Sequence, residues 1–219
     1  MDSPTIESFR QAFFGPIDNY LSWHDGFDSV IDVAASLGGL TPAEKEQAAA
    51  ELILALEHGP ADARVVLGLA YLRHRPALPA LNSYMPNAAN YVLQAISQID
   101  STQLDLQRVA RVLEAPDTQS LIDVLTGLGY YYTHAQLNAD IVQRIINLLT
   151  HPDYLVRYHA LQAARNIHGV PGLADDLNSL REDPIFANII SDKRPRDFRR
   201  AQELLLAEIR KVTGPDSRA

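Results

Sequence analysis

Helix punctuation recurs every 10 to 18 residues along this chain, and the apolar–polar alternation of a half-buried strand is almost absent. Thr41-Pro42-Ala43-Glu44 carries the full start signal. Thr41 can cap, Pro42 suits the first helical position, and Glu44 can return a hydrogen bond as a capping box. The Ala/Glu/Leu/Gln-rich run that follows stops at His58-Gly59-Pro60. Asp62 opens the next helix, to about His74, before Pro76. The same reading predicts helices at about 78–84, 88–99, 104–113, 118–131, 139–149, 154–167 and 173–180, and a last one at about 195–212. That last helix presents Phe198, Ala201, Leu205 and Ile209 at helical spacing. Before Thr41, segments 6–14 and 27–37 also read as helical.

Helices this short are marginal alone and must bury an apolar stripe against neighbours. Short connections make successive helices antiparallel hairpins, which can build either a bundle or a solenoid. Internal repetition decides between these. In 141–167 an apolar helix ends in Leu148-Leu149, and a turn holds Pro152-Asp153. Val156-Arg157 and a helix with Ala160, Ala163 and Ala164 follow. This segment resembles a HEAT repeat, with every feature of the family's pattern in order. The resemblance implies that Asp153 and Arg157 contribute to polar ladders between repeats. The residues themselves suggest that Asp153 caps its helix and that the alanines permit close helix approach.

Residues 48–72, with Asp62 in the turn and Arg64 before Val65, form a worn copy, and 106–128, with Pro116-Asp117, form another. Pro86-Asn87 marks room for one more. The expected fold is therefore all-α: one domain built as a right-handed, HEAT-like α-solenoid of antiparallel hairpins. Residues 1–40 would be an N-terminal helical cap, 41–191 the repeats, and 192–219 a basic capping helix and tail.

Composition narrows the function classes. The chain has 219 residues and no Cys, which removes disulfides, thiolate metal sites and Cys nucleophiles. The longest apolar stretch, Val65 to Leu72, is eight residues, against the roughly 20 needed to span a membrane. The first eight residues lack a basic and an apolar region, so no secretory signal is expected and the chain reads as soluble and cytoplasmic. Net charge is −8 overall, and residues 1–60 alone carry −8, whereas 192–219 carry +3. An acidic N-terminal third repels phosphate, which disfavours nucleic acid as the ligand and favours a protein with a basic face. Lys193, Arg194, Arg196, Arg199, Arg200, Arg210 and Lys211 read as a solvated helix face near a C-terminus.

No catalytic motif stands out. None of the seven His residues pairs with another at i, i+3 or i, i+4 within one helix, so neither a metal site nor a cofactor is expected. His151, Asp153 and His159 would converge only if their turn folded back. Gly-x-Ser-x-Gly and the phosphate-binding Gly-x-x-x-x-Gly-Lys loop are both missing. Trp23-His24-Asp25-Gly26 is the most unusual tetrapeptide and reads more simply as an anchored turn than as an acid–base pair.

Nine Tyr against six Phe is a skew toward amphipathic rings. Tyr130-Tyr131-Tyr132 cannot all face one core, and Tyr154 and Tyr158 lie off the stripe of Val156, Ala160 and Ala164. Tyr130, Tyr131, Tyr154, Arg157, Tyr158 and Arg165 are therefore candidates to line a partner-binding surface, with Asp25, Asp28 and Asp32 steering a basic partner. The function expected is a non-enzymatic protein-binding module, one form of which is an inhibitor or immunity-type protein. The alternatives are a HEAT-like enzyme, resembling a DNA glycosylase or a chromophore lyase, and a structural adaptor subunit.

Overall fold

The computed structural model describes residues 5–17, 26–27, 30–59, 61–173, 177–190 and 194–213. Among these there are thirteen α-helices, a few short 3-10 turns and no strand. None of these helices is long and apolar enough to cross a membrane. The chain divides into two compact units, Met1–Leu104 and Asp105–Ala219.

The first unit holds α1 (Ile6–Phe14), α2 (Val33–Leu37), α3 (Pro42–His58), α4 (Ala63–Leu72), α5 (Leu78–Tyr84) and α6 (Ala89–Asp100). Side-chain caps start the first four. Thr5 and Ser8 form a capping box on α1, and Asp32 accepts the Ala35 N–H at 2.8 Å on α2. Thr41 and Glu44 form the box expected on α3. Asp62 accepts the Arg64 N–H on α4 at 2.9 Å. Helix α4 is the spine of this unit, burying Val65, Val66 and Leu69 against α2, α3 and α6. Gly68 is what lets the layers close, because a Cβ there would stand 2.6 Å from the Phe13 ring and 2.9 Å from Leu52 Cδ1. Arg64, only 6% exposed, clasps Asp62 and donates to the carbonyls of Ala12 (2.8 Å) and Gly15 (3.1 Å). It thereby satisfies acceptors at the end of α1 that no helical bond reaches. Helix α4 ends at Leu72, two residues before the expected His74, where Arg73 turns left-handed with φ +48°.

The second unit holds α7 (Leu106–Val112), α8 (Thr118–Tyr131), α9 (Ala139–Asn147), α10 (Tyr154–Ile167), α11 (Leu177–Glu182), α12 (Phe186–Ile189) and α13 (Pro195–Thr213). Asp105, Asp117, Asn138 and Asp153 cap α7 to α10, each accepting a backbone N–H of its helix's first turn. Residues 148 and 149, expected as the end of α9, instead open a 3-10 turn that runs to Thr150. Of the helix expected at 173–180, residues 174–176 lie outside the described residues and Leu177 onward is helical, continuing to Glu182, while α12 is too short for sequence periodicity to show it. Helix α10 is the hub, in contact with α8, α9, α12 and α13. Along α13 the residues Phe198, Ala201, Leu205 and Ile209 are buried, while Arg196, Arg199, Arg200, Arg210 and Lys211 face outward. Lys193 lies outside the described residues.

Candidate functional site

Helices α8 and α10 run parallel. Their contacts keep a nearly constant offset: Thr118 Oγ1 donates to Asp153 Oδ2 at 3.3 Å, and Thr126 Oγ1 meets His159 Nδ1 at 3.3 Å. Farther along, Gly129 lies on Ala163, where a Cβ would come within 2.9 Å of the Ala163 Cα. Such an approach requires glycine on one side and alanine on the other.

The capping aspartates, Asp117 and Asp153, are 36 positions apart, and the helical period carries this register onto the outer faces. Gln119, Asp123, Thr126 and Tyr130 share one side of α8. Leu155, His159, Gln162 and Asn166, each 36 positions on, share the corresponding side of α10. Between the two stripes is a cleft of about 80 Å³. Leu125, Gly129 and Ala163 form its floor, with Thr126 and Tyr130 on one wall and His159, Gln162 and Asn166 on the other. Sites that enclose a small-molecule ligand usually measure about 300–1,000 Å³, so this one suits a single side-chain head group.

Its electrostatics are one-sided. Helix α8 contains no Lys or Arg, and both arginines of α10 are buried, so the accessible formal charges here are Asp117, Asp123 and Asp153. Burial raises the Asp123 carboxyl above the ordinary carboxylate range against one bond from Gln119 at 2.8 Å, with Asp117 adding repulsion. Burial also pushes the His159 imidazole down, favouring its neutral form. Its ring lies edge-on to Tyr158, with centroids 5.3 Å apart. Gln162 donates its side-chain N–H to the Tyr158 hydroxyl at 3.1 Å, which fixes the amide.

The tyrosines expected at a surface fall into two groups. Tyr130 is 72% exposed at the cleft and tilts against half-buried Tyr131 at 6.3 Å between centroids, whereas Tyr132 is buried. Tyr154 and Tyr158 pair at 6.2 Å on the flank of α10, where Tyr158 packs edge-on against Phe186. No ring contact among the described residues joins the two groups.

The arginines require a correction. Arg157 is 2% exposed. It donates to the carbonyls of Ile189 (2.8 Å), His151 (2.7 Å) and Pro152 (2.8 Å), and its guanidinium lies 4.1 Å from the Phe198 ring centroid. Arg165 is 3% exposed, bonded to Asp183 at 2.6 Å and Glu208 at 3.1 Å. Both are internal staples joining α10 to later segments, so neither offers its cation to a surface. Asp32 caps α2 in the first unit, while Trp23, His24, Asp25 and Asp28 lie outside the described residues.

Sequence reasoning missed Asp123, Thr126, Gln162 and Asn166. The signal available for them was the 36-residue spacing of Asp117 and Asp153 projected onto the two helical wheels. Among the described residues no three His, Asp or Glu side chains are grouped to hold a metal ion. His151 is occupied otherwise, its Nδ1 accepting the Asp153 N–H at 3.1 Å. No family model, curated protein or solved structure matches the chain.

Proposed function

We propose that this chain is a non-enzymatic, cytoplasmic protein-binding module of the HEAT-like α-solenoid kind, and that the α8–α10 face receives a basic surface of its partner. The observation that carries the reading is the pairing of exposed Tyr130 with two helices, α8 and α10, whose own accessible formal charges are all acidic. Tyrosine supplies contact area at low entropic cost, and complementary charge accelerates encounter. The parallel, register-matched α8 and α10 support the repeat architecture, since successive equivalent helices of a solenoid stack in this way. An inhibitor or immunity-type role is the most specific form of the reading.

The test is affinity capture from native lysate, using the intact chain and a Tyr130→Ala/Asp123→Asn double variant, at low and high salt. A stoichiometric protein retained by the first, lost by the second and weakened by salt is the expected result. Recovery of nucleic acid, or release of a base from DNA or turnover of a chromophore substrate by the purified chain, would favour the enzyme alternatives. Equal retention by both chains would move the interface elsewhere and favour an adaptor.

A further inference from the structure

We propose that the α8–α10 cleft is the seat of one arginine side chain of the protein partner, an inference that rests on the binding-module reading above. The cleft's volume, about 80 Å³, admits a head group and excludes a drug-sized ligand. Its rim carries the open face of Tyr130, 72% exposed, on which a planar guanidinium can stack. Across from it stand the amides of Gln162 and Asn166. With one Gln162 N–H engaged by the Tyr158 hydroxyl, its carbonyl oxygen remains as an acceptor on this wall. A guanidinium offers five donors in a fixed fork, which suits acceptors on one wall and a ring on the other.

Charge selects for a cation. No Lys or Arg projects from α8 or α10 to compete for the cleft. Asp123 lies one turn before Thr126, about 4–5 Å along the helix axis, close enough to place a negative field over the opening. That carboxylate is half-buried with a single neutral amide donor from Gln119, so an incoming cation would relieve its desolvation. The neutral form of His159, favoured by burial, presents no opposing charge. The rigid floor, Gly129 against Ala163, fixes the spacing of the walls before any ligand arrives.

The test is a titration of the full chain with N-acetyl-arginine amide, followed by amide NMR shifts. N-acetyl-citrulline amide (neutral and nearly isosteric) and N-acetyl-lysine amide are the comparison probes. Saturable shifts confined to 125–130 and 159–166 are expected, with both comparison probes at least about threefold weaker. Tyr130→Ala should weaken the arginine probe about two- to fivefold, the range for an exposed cation–π contact. Because that ring is mostly exposed, its removal leaves the fold intact. Absence of shifts in these segments overturns the assignment, as does equal binding of citrulline or of lysine. A captured protein partner without arginine shifts would sink the cleft assignment and spare the module. Arginine shifts with no protein retained would do the reverse.

Discussion

Gly129 and Ala163 hold α8 and α10 at backbone distance, since a Cβ on Gly129 would stand 2.9 Å from the Ala163 Cα. Two effects oppose one another in Gly129→Ala. The helix gains about 1 kcal/mol from intrinsic propensity, whereas overpacking against backbone costs about 1–3 kcal/mol. Backbone cannot rotate aside as a side-chain tip can, so the steric cost should win and the urea midpoint should fall. Gly172→Ala is the control, because its nearest neighbour would be the Asn166 side chain at 3.8 Å. A Gly129→Ala chain as stable as the parent would refute the close approach.

Arg157 gives the larger effect. Replacing it with Leu would leave the carbonyls of His151, Pro152 and Ile189 without their shared donor and strip a cation from the Phe198 ring. The expected loss is about 3 kcal/mol, read as a shift in chemical denaturation. Arg157→Lys should recover only part of it, because a single ammonium cannot reproduce the spread of Nε and Nη1. Full recovery by Lys would show that charge alone holds this corner together.

These arginines also mark where sequence reading stops. The Asp62, Asp117 and Asp153 caps were legible because capping is a local bond, between residues two or three apart. That Tyr130, Tyr131 and Tyr132 do not all face one core was legible from helical geometry, but the burial of Tyr132 was not, because it is the extended residue that follows α8. The burial of Arg157 and Arg165 depends instead on acceptors far along the chain, Ile189 for one and Asp183 and Glu208 for the other. On a helical wheel Arg157 sits at the flank of the Val156, Ala160 and Ala164 stripe, compatible with solvent or with core, and Arg165 lies well off that stripe, where its burial had no local signal. The cleft was hidden for a related reason. Its floor exists only because two small residues from different helices meet, and neither helix reveals that alone.

His159 should make the fold sensitive to mild acid. Burial lowers its folded-state value below the ordinary 6.5. As pH falls through 6.5, the unfolded chain therefore takes up the proton first, and stability present above that value is progressively lost toward the folded value. Between pH 7.5 and 5.5 the parent's melting temperature should drop more than that of His159→Gln, which can keep a polar contact to Thr126 without titrating. Equal drops in the two chains would mean that His159 is hydrated enough to titrate normally.

Asp123 shifts in the opposite direction, with the folded-state value raised by burial. The native chain then holds this proton more tightly than the unfolded chain does. The favourable contribution is full below the unfolded value, about 3.9, and is lost as pH rises through the folded value. At neutral pH the ionised carboxylate is thus less at ease in the native fold than in water, and Asp123→Asn should raise the melting temperature at pH 7. The gain should shrink as pH approaches 4, and the same substitution should weaken capture of a basic partner. A residue that costs stability and aids binding is what a functional position is expected to show. If Asp123→Asn destabilised the chain at pH 7, the carboxylate would have to be reassigned to holding the fold, and its part in recognition would fall.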